Sequence, residues 1–195
     1  PPMAQDSSLP DFWETRYQQG VIPWDAGQMP RQFVAFAAAR LPGERVLAPG
    51  CGSGYEVRGL AEHGARVLAV DFSAAAVARA REVLGEYADC VREGDFFQLD
   101  DAPFDWLYER ALLCALPPKT WDDWAAQTAR LVRPGGVLAG YFFIADTPKG
   151  PPFGISEARL VELLGGHFTL ESREPASDSL PVFAGREHWM VWRRR

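Results

Sequence analysis

Three glycines at alternate positions, Gly50, Gly52 and Gly54, follow a short apolar run, Val46-Leu47-Ala48-Pro49, and precede a stretch of helical periodicity from Tyr55. A loop without side-chain bulk at alternate positions lets backbone approach a flat ligand closely, and the N-terminus of the following helix turns unpaired N–H groups toward it. A second apolar run, Arg66 to Val70, closes on Asp71. It stands about 20 residues beyond the loop, where a doubly wound sheet presents a carboxylate to the two hydroxyls of a ribose. Asp71 could instead cap the next helix, but Ser73 is better placed for that, which favours the ligand role. Asp95 followed by Phe96 could accept from an adenine amino group and pack on its ring, or be a turn aspartate beside a core phenylalanine; its place beside the glycine loop favours contact. A further apolar run, Phe104 to Tyr108, ends on Glu109-Arg110. Two charges at the carboxyl end of a buried parallel strand are costly unless paired or used, and this is the crevice edge of an open α/β sheet. Arg110 could face a ligand there, or form a salt bridge to Glu109 or Asp105.

The glycine spacing narrows the ligand. A dinucleotide fingerprint counted from Gly50 needs glycine at 55, where this chain has Tyr55, so the NAD and FAD readings are weakened. The G-x-G-x-G spacing resembles motif I of the class I methyltransferases that bind S-adenosylmethionine. The elements that must position these residues read as alternating strands and helices. Val46–Pro49 is the first core strand. Val57, Leu60 and Ala61 face the next helix, which ends at His63-Gly64, and Ser73 opens a helix closed by Gly85. Residues 89 to 97 read as a third strand. Thr120 is expected to cap a helix with Trp121, Trp124, Ala125, Thr128 and Leu131 inward, and Arg133-Pro134-Gly135-Gly136 to form a tight turn before a central strand, Val137–Ile144. Thr147 to Gly154, with Pro151, Pro152 and Phe153, is too rich in Pro and Gly to be regular and reads as a substrate loop. Ser156 caps a last helix, and 167–173 with 187–193 read as a terminal antiparallel pair. Ahead of the first strand, Trp13 and Tyr17 share a helical face and Trp24 begins a loop after Pro23. They form either a helix on the sheet edge or a lid whose aromatic faces attract a sulfonium.

At 195 residues and 47% hydrophobic content the chain suits one domain, residues 11–195, with 11–43 as lid and first helices and disorder expected up to about Pro10. The net charge of −6 lacks the basic footprint of a nucleic-acid binder. Cys51, Cys90 and Cys114 have no metal spacing and their odd number argues against a disulfide framework, so a reduced, cytoplasmic protein without metal is expected. Neither a membrane-length apolar run nor a signal sequence is seen, and the expected state is a monomer or weak homodimer. The histidines His63, His167 and His188 read as structural.

Taken together, FWETRYQQGVIPWDAG, VLAPGCGSGYE, VLAVDFS, GDFF, FDWLYERALLCAL, VRPGG and DTPKGPPF resemble the thiopurine S-methyltransferase superfamily, which includes bacterial thiopurine methyltransferases and plant thiol and halide methyltransferases. The resemblance implies a class I methyltransferase fold, Rossmann-like, with a seven-stranded, mostly parallel sheet, an antiparallel last strand, helices on both faces and an N-terminal lid. It implies methyl transfer from S-adenosylmethionine to a small soft nucleophile, with S-adenosylhomocysteine as product. Trp13, Tyr17 and Trp24 would then contact the cofactor from the lid. Gly50, Cys51 and Gly52 would form the loop, Asp71 and Phe72 the ribose corner, Asp95 and Phe96 the adenine edge, with Glu109 nearby and Arg110 toward the acceptor. The arginine matches thiopurine-type members, where plant members carry tyrosine, and leans away from halide. A small-molecule O- or N-methyltransferase, with Glu109 or Tyr141 as base, and a non-catalytic S-adenosylmethionine-binding protein are the alternatives.

Overall fold

The computed structural model describes residues 6–20, 27–50, 54–101 and 103–195. Seven strands form one sheet in the order β3-β2-β1-β4-β5-β7-β6. They are β1 (Arg45–Pro49), β2 (Arg66–Asp71), β3 (Val91–Glu93), β4 (Phe104–Glu109), β5 (Val132–Phe143), β6 (Phe168–Pro175) and β7 (Glu187–Arg194). The pairs from β3 through β5 are parallel, whereas β7 runs antiparallel between β5 and β6. The order reverses between β1 and β4, so the ends of β1, β2 and β4 open a crevice there.

Alternation along the central strands divides the core. Leu47, Leu107 and Leu138 pack with Trp121, Trp124 and Leu131 of α5 (Trp121–Leu131) and with Leu160 and Leu164 of α6 (Glu157–Leu164). On the opposite face Val46, Trp106 and Tyr108 meet Phe33 and Ala37 of α2 (Arg31–Ala38) and Leu60 of α3 (Tyr55–Glu62), while α4 (Ala74–Leu84) covers Ala48, Ala69 and Val91. Pro30 precedes α2 and offers no side-chain cap. Its first N–H groups are satisfied from afar instead: Arg31 N–H donates to Asp178 (3.0 Å) and Phe33 N–H to the Tyr141 hydroxyl (3.2 Å). Gly140 is required where β4 and β5 meet, because a Cβ there would collide with the Glu109 carbonyl oxygen.

Several expectations change in detail. The third strand shrinks to Val91–Glu93, since Gly85–Cys90 continues α4 as a 3-10 helix and Asp95 opens another at Phe96–Gln98. Pro134-Gly135-Gly136 does not precede the central strand but bulges within it: Val132 pairs with Phe104, then Val137 with Trp106. Thr120 does not cap α5 with its side chain; its hydroxyl donates to the Pro117 carbonyl. Ser73 and Ser156 do cap α4 and α6, accepting from Ala76 and Arg159 N–H. Asp6 to Leu9 lie in the stretch expected to be disordered, yet Asp6 pairs with Lys119 (2.7 Å) and Ser7 O accepts from the Trp13 indole (2.8 Å) ahead of α1 (Pro10–Gln18).

Candidate active site

A cleft of about 360 Å³ opens over the ends of β1, β2 and β4, within the range of small-molecule sites. Its first wall is the turn after β1. Gly50 N–H donates to Val70 O (2.8 Å) and holds φ +62°, with Leu112 so close that a Cβ would sit 3.2 Å from its Cδ1. Gly54, at φ +83°, leads into α3. Cys51 and Gly52 lie outside the described residues, as does Trp24.

The second wall is built by β2 and β3. Asp71 is only 8% exposed, and its Oδ1 accepts from Ser73 N–H (3.0 Å), which fixes the carboxylate at the cleft beside Phe72. Asp95 accepts from Phe97 N–H (2.9 Å). It therefore is the turn aspartate considered from sequence and also lines the cleft, together with Phe96 and Phe97. Pro151 and Pro152 line the cleft as well, while Phe153 turns into an adjoining cavity of about 10 Å³, room for one water. Phe153 N–H donates to Cys114 O (2.6 Å) and Gly154 N–H to Thr147 Oγ1 (2.9 Å), so the proline loop is tied down at its exit.

Helix α1 completes the enclosure. Phe12, Trp13, Arg16 and Tyr17 line the cleft from positions spaced three to four apart, the period that puts residues on one helical side. The helix is fastened by Glu14, whose Oε2 accepts from Ser73 Oγ (2.7 Å) and Ala75 N–H (2.9 Å) at the start of α4. The Ala75 N–H and the Ser73 hydroxyl hold the Glu14 carboxyl below its ordinary pKa.

Glu109 and Arg110 do not line this cleft. Glu109 is 1% exposed and folds back on its own turn, accepting from Leu112 N–H (3.1 Å) and Leu113 N–H (3.3 Å). Burial pushes its carboxyl up to about 8 against the opposing pull of those two N–H groups. Between them Ala111 adopts φ +59°, so the turn that lays Leu112 over Gly50 is held in the left-handed region by this carboxyl group. Arg110 pairs with neither of the acids proposed from sequence; it meets Glu56 of α3 at 3.1 Å and lies 5.9 Å from the Tyr141 ring centroid. Burial opposes its charge, and Glu56 more than offsets that, leaving its pKa above the ordinary value. Asp105 instead takes Arg133 and the Arg45 N–H.

Arg16, Phe12, Cys114 and Phe183 line the cleft without having been singled out in the sequence. The spacing of Phe12 and Arg16 repeats that of Trp13 and Tyr17 and was the available signal; Phe183 sits in an irregular segment with none. Among the described residues no His, Cys, Asp and Glu cluster could hold a metal, and no helix is long and apolar enough to cross a membrane.

The model of the thiopurine S-methyltransferase family matches residues 8–195. The chain is 30% identical over 190 residues to thiocyanate methyltransferase 1 of Arabidopsis thaliana, covering 93% of this chain and 84% of that protein. It is 31% identical over 187 residues to a thiopurine S-methyltransferase of Pseudomonas fluorescens, covering 85% and 86%. In fold it is similar to the 1,6-didemethyltoxoflavin-N1-methyltransferase of Burkholderia thailandensis (TM-score 0.77, 23% identity, 100% of this chain and 92% of the other). The magnesium protoporphyrin IX methyltransferase of Synechocystis is also similar in fold (TM-score 0.78, 20% identity, 100% of both chains).

Proposed function

The chain belongs to the thiopurine S-methyltransferase family, and from that premise we propose that it methylates a small soft nucleophile, a thiol, thiopurine, sulfide or selenium compound, with S-adenosylmethionine as donor. The observation that carries the reading is the cleft itself: a glycine turn, a buried aspartate at the end of β2 and an aromatic helix converge on one space of about 360 Å³. These residues fit the donor. Gly50 leaves room for a close approach, Asp71 suits a ribose diol, Asp95 with Phe96 suits an adenine edge, and the rings of Trp13 and Tyr17 suit a sulfonium. When bound, S-adenosylmethionine supplies a methyl group activated by its positively charged sulfur.

The residues of the chain then act by position. Leu112, Phe96 and Phe12 exclude water, α1 serves as lid with Glu14 as its fastening, and Pro151 and Pro152 border the acceptor. Aligning an attacking sulfur with the methyl can supply on the order of 7 to 11 kcal/mol of barrier reduction. A soft nucleophile is favoured over an alcohol or amine because neither base proposed from sequence is available. Glu109 is held by its own turn, and the Tyr141 hydroxyl accepts from Phe33 N–H. Arg110 is a positioning residue that ties α3, and with it the glycine turn, to the end of β4. The protein works as a single domain in a reducing compartment, as a monomer or weak dimer. Calorimetric titration of S-adenosylmethionine tests the donor site: Asp71→Ala should weaken binding on the order of tenfold or more, since it deletes hydrogen bonds to a charged acceptor. An unchanged dissociation constant would remove Asp71 from the site.

A further inference from the structure

Arg16 is the one lysine or arginine that lines the cleft among the described residues. Its Nη1 donates to Phe12 O (2.8 Å) and its Cζ lies 3.4 Å from the Phe12 ring centroid. No carboxylate of the described residues forms an ion pair with it, and burial alone acts on its pKa, lowering it. Arg110 offers the contrast, because Glu56 compensates its burial. Arg16 is only partly covered and borders the cleft with no ion pair among the described residues, so its guanidinium is placed to take a negative charge brought into that space.

Helical geometry indicates which one. Residues two apart on a helix diverge by about 160°. Glu14 grips Ser73 and Ala75 beside Asp71, so Arg16 faces away from the ribose corner. The cleft it borders also carries Pro151, Pro152, Val182, Phe183 and Cys114, which present an apolar wall. We infer that the methyl acceptor is an anion with an apolar body, a thiol that carries a carboxylate or equivalent charge apart from its sulfur, and that Arg16 selects it. This rests on the methyltransferase reading above.

The test compares 4-mercaptobenzoate with its methyl ester, the same aryl thiol with and without the charge. For the wild-type protein kcat/KM should favour the acid on the order of 10- to 100-fold, the range of a charged hydrogen bond. Arg16→Gln should bring that ratio close to one, mainly through KM of the acid, with S-adenosylmethionine affinity changed less than about twofold, and Arg16→Lys should retain part of the preference. Equal use of acid and ester by the wild type, or a preference that survives Arg16→Gln, overturns the inference and leaves methyl transfer standing. Loss of S-adenosylmethionine affinity with an unchanged ratio also overturns it, assigning Arg16 to the carboxylate of the donor. If Arg16→Gln does not fold, binding of 4-(methylthio)benzoate and its ester to wild type and Arg16→Lys, both loaded with S-adenosylhomocysteine, decides: equal affinities in the wild type reject the inference. A wild type that binds the donor but methylates neither thiol refutes the thiol reading, and the inference falls with it.

Discussion

Arg110 is largely withdrawn from water and Arg16 only partly, and they differ in what answers their charge. Arg110 has Glu56 at 3.1 Å, and both side chains are less than one-fifth exposed, so the pair is complete within the protein and joins α3 to β4 behind the glycine turn. Among the described residues Arg16 has the ring and carbonyl of Phe12 and no ion pair, and it borders open space. A buried charge that is matched internally holds a fold together, whereas one left unmatched at a cavity marks where a ligand belongs. The acids differ in place: Glu109 folds back on its own turn away from the cleft, while Asp71, held by Ser73 N–H, lines it.

The largest expected effect breaks the matched pair. Glu56→Ala removes the ion-pair partner of Arg110, leaving Glu187 to act on its charge without a direct pair, and should destabilise the protein by about 3 kcal/mol in urea denaturation, with much of that recovered in the double variant Glu56→Met, Arg110→Met. A loss below about 1 kcal/mol would move Arg110 out of the structural class and back toward the acceptor.

Glu109 gives the next effect, read along pH. Its folded pKa of about 8 lies above the ordinary 4.5, so its stabilising contribution is complete below about pH 4.5 and is lost as pH rises toward 8. Glu109→Gln should remove a downward stability slope of at most about 1.4 kcal/mol per pH unit across that window. If the wild-type slope persists unchanged in the variant, the carboxyl is already ionised and its turn is held in another way. Glu187 is shifted in the same direction by burial and adds a downward contribution of its own, which Glu109→Gln leaves in place, while His188, lowered by burial, opposes it.

Glu14 should give the smallest change. Its pKa is depressed from 4.5, so its contribution is present above that value and fades as pH falls below it. Glu14→Gln should cost about 1 kcal/mol or less at neutral pH, because the site is partly exposed, and weaken S-adenosylmethionine binding by a few-fold as α1 loosens. A donor affinity untouched by this variant would show that α1 does not act as a lid.

Much of the fold was legible because its signals are local. Val46 to Gly50 reads as strand and the start of a turn, Ser73 and Ser156 sit where helices need an oxygen, and the spacing of Trp121, Trp124, Ala125 and Thr128 gave the buried face of α5. Asp71 could be placed at the cleft on the same grounds. What was not legible depends on distant partners. No periodicity joins Arg110 to Glu56 or the start of α2 to Tyr141 and Asp178, because these contacts exist only once the strands are in register. The Pro134-Gly135-Gly136 turn became a bulge for a similar reason, since pairing with Phe104 and Trp106 on β4 captured the chain on both sides of it. Arg16 was hidden among stronger aromatic signals, and it becomes informative only because it lines the cleft without an ion pair among the described residues.

The most direct measurement is the release of S-adenosylhomocysteine from S-adenosylmethionine with matched acceptors: a thiopurine, an aryl thiol, hydrosulfide and selenide against a phenol and an amine of similar shape. The account predicts turnover with the sulfur and selenium acceptors, abolished or strongly reduced in Asp71→Ala at subsaturating donor, and none with the phenol or amine. Turnover on the phenol or amine but on none of the soft nucleophiles, or silence throughout from a protein that still binds the donor, would contradict it.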